Sequence, residues 1–114
     1  MKVMQSILVL AMIVVAPPCR ANDFPTADRV EFVLECMRDH TGGQFELLNK
    51  CSCAIDRLAE QYKYDDFVEA QTMSKAVTIA GERGSTLRDN EDAQKAARRY
   101  RASVVDAGRA CFLR

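Results

Sequence analysis

The chain has 114 residues, 48% of them apolar in type and 28% charged, and its 16 basic and 16 acidic side chains balance to a formal charge of zero. A chain of that size holds one small core. It has no internal repeat and no low-complexity tract, so a solenoid or a composition-driven linker is excluded.

The first segment, MKVMQSILVLAMIVVAPPCRA, places Lys2 before an apolar run from Ile7 to Ala16, which Pro17 and Pro18 end. A charged start, a short apolar stretch and a small residue at the break predict a signal peptide over 1–21, cleaved after Ala21. The run is shorter than the roughly 20 apolar residues needed to span a bilayer. The expectation is therefore a single exported domain over 22–114, in the periplasm and without a membrane anchor. Cleavage removes Cys19 and leaves Cys36, Cys51, Cys53 and Cys111. Four cysteines in a short exported chain predict two disulfides. The loss of Lys2 and Arg20 leaves 14 bases against 16 acids. The front half is acidic and the back half basic.

Four helices are predicted in chain order. Over Asp28 to His40, Val30, Val33, Leu34 and Met37 recur at helical spacing, and Gly42-Gly43 ends the run. From Gln44 to about Tyr62 the stripe is Leu47, Leu48, Cys51, Ile55, Leu58 and Tyr62. Tyr64-Asp65-Asp66 predicts a cap for a third helix that carries Phe67, Ala70, Val77 and Ala80 and stops in a turn at Gly81 to Gly84. Asp89 or Asn90 caps the last helix, whose stripe is Ala93, Ala96, Ala97, Tyr100, Val104, Ala107 and Cys111. No stretch alternates long enough for a strand. The fold class is all-α, a small four-helix bundle stapled by two disulfides.

The segment Cys51-Ser52-Cys53 lies inside the second helix, where the two side chains point about 200° apart and cannot bond to one another. Facing predicts Cys36–Cys53 and Cys51–Cys111, because Cys51 and Cys111 lie in the middle of their stripes while Cys36 and Cys53 lie off theirs. Position along the helix axes favours Cys36–Cys51 instead. A redox pair would be spaced C-x-x-C at the start of a helix. A thiolate metal site lacks further ligands, with His40 the only histidine.

The catalytic inventory is thin. No serine sits in a nucleophile elbow and no partner for His40 is evident, so the expectation is a protein that is not an enzyme and carries no organic cofactor. Two surface features carry a functional reading. Asp28, Glu31, Glu35 and Asp39 make an acidic stripe whose Glu31, Glu35 and Asp39, with Asp65, Asp66 and Glu69, offer hard oxygen ligands to a lanthanide or calcium ion. The competing reading is a solvated helix face, since the spacing is not that of an EF-hand loop. Lys95, Arg98, Arg99 and Arg101 form a basic side on the last helix. Outside the cytoplasm nucleic acid is not its partner, and it reads as a solvated face or a docking surface for an acidic protein.

The stretches ECMRDHTGGQFELLNKCSCAIDRLAE, YDDFVEA, GERG, RD and the late CF resemble a family of small exported four-cysteine helical proteins, the landiscernin-like proteins. They occur in bacteria that oxidise alcohols with pyrroloquinoline-quinone enzymes. The resemblance spans most of the chain after the leader. It implies a non-enzymatic periplasmic accessory protein in lanthanide handling, one that binds a hard metal ion, a lanthanide-carrier protein, or both. The alternative is a purely protein-binding or structural module that supports a quinone-dependent alcohol dehydrogenase.

Overall fold

A computed structural model describes residues 23–114, so the predicted signal peptide lies outside the described residues. Five helices follow one another, and no strand occurs among the described residues: α1 Thr26–Asp39, α2 Gln44–Gln61, α3 Tyr64–Ala76, α4 Glu82–Arg88 and α5 Glu91–Ala110. The all-helical class stands as predicted. The added element is α4, where a turn was expected.

The reason lies at the two glycines. Gly81 takes φ +88°, open to glycine but unfavourable for other residues. It thereby reverses the chain at once into a short helix instead of a loop. Gly84 is buried within that helix, and a Cβ there would fall 2.0 Å from the Ile79 carbonyl oxygen. The Arg88 guanidinium donates back to the carbonyls of Ile79 and Gly81 and closes the unit.

Helix caps come partly from afar. Asn90 caps α5 by accepting from the backbone N–H groups of Asp92 and Ala93, at 2.9 and 3.0 Å, as one of the two predicted cap residues. The predicted cap for α3 is different: Asp65 and Asp66 lie in its first turn, and the N–H of Tyr64 donates instead to the Asp23 carboxylate at 3.0 Å. That bond ties the start of the described chain to the start of α3.

The core is built by α1, α2, α3 and α5 around Phe67, which is 2% exposed. Phe24, Phe32, Tyr62 and Tyr100 surround its ring with centroids 4.9, 6.5, 6.3 and 5.8 Å away. Three of these contacts are edge-on, the geometry that opposes a ring's positive edge to its neighbour's negative face. Cys51, Ala54, Ile55 and Leu58 supply the α2 side, and Ala107 and Cys111 the end of α5. A smaller cluster of Val77, Ala93 and Ala97 seats α3 on α5, with Leu87 of α4 against it.

The face of α1 departs from its expected stripe. Phe32 and Val33 are buried, with Cys36 and Met37 packed against the core, whereas Val30 and Leu34 are 51% and 62% exposed. Helix α1 carries apolar residues on both sides. Of the expected stripe, Val33 and Met37 face the core while Val30 and Leu34 face out, so the inner face is rotated toward Phe32 and Cys36.

That rotation explains the disulfides. The bridges are Cys36–Cys51 and Cys53–Cys111, with Cα atoms 5.9 and 5.8 Å apart, so the pairing chosen from facing is overturned. With the true inner face of α1 centred on Phe32, Val33 and Cys36, Cys36 points at α2. A connection of four residues, 40–43, makes α1 and α2 an antiparallel hairpin in which Cys36 stands level with Cys51. Helix α2 packs against both α1 and α5. The roughly 200° between Cys51 and Cys53 thus sends one bridge to each neighbour.

The chain leaves α5 through a Schellman motif. The N–H of Leu113 donates to the carbonyl of Gly108 at 2.9 Å and that of Phe112 to Arg109 at 3.1 Å. The motif needs a left-handed residue, and Phe112 holds it at φ +62° while its side chain is 78% exposed. Glycine would take that conformation without the Cβ penalty of about 1–2 kcal/mol. Phe112→Gly is expected to stabilise the fold by about 1 kcal/mol, read as a rise in the urea midpoint at unchanged slope. No gain would mean that the exposed ring contributes packing of its own.

Candidate functional site

Two regions gather chemistry. The first is a cleft of about 480 Å³ between α1, α3 and α5. Its floor is Phe32, Ala54, Tyr100 and Gly108, all buried, with Cys36, Val104 and Leu113 as half-buried walls. Its rim carries Lys75, Arg109 and Arg114 together with Glu35, Asp39 and His40. Small residues at Ala54 and Gly108 leave the space that a larger side chain on α2 or α5 would occupy.

Tyr100 is 8% exposed, and its burial pushes the phenol up to about 12, against a smaller downward pull from a hydrogen bond with Gln71. The hydroxyl therefore keeps its proton throughout the ordinary pH range. The ring of His40 is placed by a 2.9 Å bond between Nδ1 and the carbonyl oxygen of Cys36, one turn earlier in α1.

The predicted acidic stripe does run along one side of α1, but three of its four members are engaged separately. Asp28 accepts from the Tyr64 hydroxyl, which raises the pKa of that phenol. Glu35 pairs with Lys75 at 3.3 Å, and Asp39 lies 3.6 Å from Arg38. Glu31 is exposed and lines a shallow groove with Val30 and Leu34, away from the cleft. Asp65, Asp66 and Glu69 are exposed on α3. Among the described residues, no group of three or more His, Cys, Asp or Glu side chains is placed to hold a metal ion. The carboxylates as they stand do not make a lanthanide or calcium cage, which would need several oxygens converging on one point.

The second region is the outer ridge of α5, on the side opposite its buried stripe. Lys95, Arg98 and Arg99 are exposed there, and none is within ion-pair distance of a carboxylate among the described residues. Arg98 and Lys95 border a polar depression with Glu91 and Asp92. Arg101, expected on the same surface, is turned toward α3. Its Nε donates to Ser74 Oγ at 3.3 Å and its Nη2 to the Ser74 carbonyl at 3.4 Å. At about 100° per residue, Arg101 falls between the ridge and the core, so it ties two helices together and leaves three of the four cations on the ridge.

The cleft escaped the sequence reading because its parts come from four helices that share no motif. The available signal was small: Ala54 interrupts the bulky buried face of α2, and Gly108 lies in the small-residue face of α5. No described helix is long and apolar enough to cross a membrane, and the two bridges fit an oxidising compartment. Fold and bridges define a small disulfide-stapled all-helical protein. Comparison with protein-family models, curated proteins and solved structures finds no match for the chain.

Proposed function

We propose that this protein is a periplasmic accessory protein that acts by docking another protein, and that its partner is acidic. The observation that carries this reading is the ridge of Lys95, Arg98 and Arg99, three exposed cations without ion-pair partners among the described residues, while Asp28, Glu35 and Asp39 of α1 are individually engaged. Unpaired surface charge attracts an oppositely charged partner over roughly a Debye length and sets its orientation. The family resemblance supplies the partner class: an acidic lanthanide carrier, with metal reaching this protein through the carrier instead of through a cage of its own. A role beside a quinone-dependent alcohol dehydrogenase would use the same ridge.

The test is association with a purified lanthanide-carrier protein, measured by biolayer interferometry at several salt concentrations. Binding should weaken as salt rises, and K95E/R98E/R99E should lower affinity by about tenfold or more while circular dichroism stays unchanged. Association indifferent to salt and to the triple reversal would overturn the ridge. A lanthanide titration of the protein alone should leave its melting temperature where it was. A stoichiometric shift, lost on replacing Glu31, Glu35 and Asp39 with their amides, would replace docking by direct metal binding.

A further inference from the structure

The cleft between α1, α3 and α5 has no part in the docking reading, yet it is built like a small-molecule site. Its volume of about 480 Å³ falls within the range of about 300–1,000 Å³ typical of such sites. Buried apolar groups form most of the floor, and besides the mouth the polar groups inside are Ser74, whose hydroxyl accepts from Arg101, and Tyr100, whose hydroxyl accepts from Gln71. That leaves the phenol's own proton to donate.

The charges at the mouth are uneven. Glu35 is engaged with Lys75 at 3.3 Å, and Asp39, also at the mouth, is 3.6 Å from Arg38. Arg109 is likewise 3.6 Å from the exposed Asp106, a contact that uses one of its five N–H donors, and the guanidinium of Arg114 has no ion pair among the described residues. Two guanidinium groups therefore stand over an apolar cavity with their donors incompletely used. Guanidinium groups hold carboxylates with two parallel hydrogen bonds, stronger than bonds between neutral groups.

We infer that this cleft binds a small amphipathic carboxylate, with its apolar body on Phe32, Val104 and Leu113 and its carboxylate held by Arg109 and Arg114. Cys36, held by its bridge to Cys51, lines the cavity on the α1 side. A neutral alcohol of the same chain would gain the apolar contacts and lose the head. An amine would meet a mouth where Lys75, Arg109 and Arg114 outnumber Glu35 and Asp39, and would bind less well than the carboxylate.

Isothermal titration calorimetry of the disulfide-bonded protein with decanoate, decanol and decylamine tests the assignment. Decanoate is expected to bind with one-to-one stoichiometry, and decanol and decylamine more weakly. Methyl resonances of Val104 and Leu113 should shift with decanoate. The double variant R109Q/R114Q alters two exposed side chains, so its fold should survive. It should lose about tenfold in decanoate affinity and none in decanol affinity. Val104→Phe fills the cavity and should abolish binding of both. No decanoate binding, binding of decylamine equal to that of decanoate, or an unchanged decanoate affinity in R109Q/R114Q would each overturn the proposal. The ridge variant K95E/R98E/R99E should bind decanoate normally, so failure of either reading leaves the other standing.

Discussion

Replacing Cys53 and Cys111 together with alanine is expected to destabilise the protein by about 4 kcal/mol. The bridge joins positions 58 residues apart, and the chain-entropy cost of closing such a loop in the unfolded state scales with its length. For a domain of this size the loss corresponds to a melting temperature lower by about 20 °C. The shorter bridge, Cys36–Cys51, spans 15 residues and should be worth about 3 kcal/mol. Small domains hold about 5–15 kcal/mol in all, so a chain lacking both bridges should be largely unfolded at body temperature. The same variants check the pairing. Cys51 and Cys53 share a tryptic peptide, so thiol counting is the cleaner measurement. With Cys53 and Cys111 replaced, the bridge Cys36–Cys51 remains and no thiol should react with iodoacetamide. Two reactive thiols in that variant would restore the pairing that helix facing had suggested.

Phe67→Ala should come close in effect, at about 3–5 kcal/mol. Phe67 is nearly inaccessible and touches aromatic rings from the N-terminal segment, α1, the α2–α3 connection and α5. Truncation removes the transfer energy of the ring and leaves a void that four large, interlocked neighbours cannot fill by small movements. The expected readout is a lower urea midpoint at an unchanged slope. A loss below about 1 kcal/mol would mean that the surrounding rings collapse into the space. Because Tyr100 packs on Phe67 and also floors the cleft, Phe67→Ala should weaken cleft binding as well. The outer ridge of α5 should be less affected, since its cations face solvent.

The helices themselves were legible because a helix declares itself locally. Apolar residues at intervals of three and four, glycines at 42, 43 and 81, and the polar cap at Asn90 are properties of neighbouring residues. The spacing of Cys51 and Cys53 likewise shows that they cannot bond to each other, whatever surrounds the helix. Local pattern also found the basic residues of α5 and the row of acids on α1.

Which face turns inward is a different kind of fact. In α1, Val30 with Leu34 and Phe32 with Cys36 are equally good helical pairs, and only the positions of α2 and α3 decide that the second pair faces the core. Once that face was assigned wrongly, the disulfide pairing followed it. Arg101 and Lys95 read alike in the sequence, but one reaches Ser74 of α3 and the other faces water. Asp23 caps a helix that begins 41 residues later. The cleft exists only because small residues on α2 and α5 meet at the place where α1 and α3 part. Sequence by itself determined four of the five helices, their approximate ends and the number of cysteines available to staple them. Tertiary structure alone decided the pairings, the buried faces and the cavity, because each depends on contacts between residues that no local period relates.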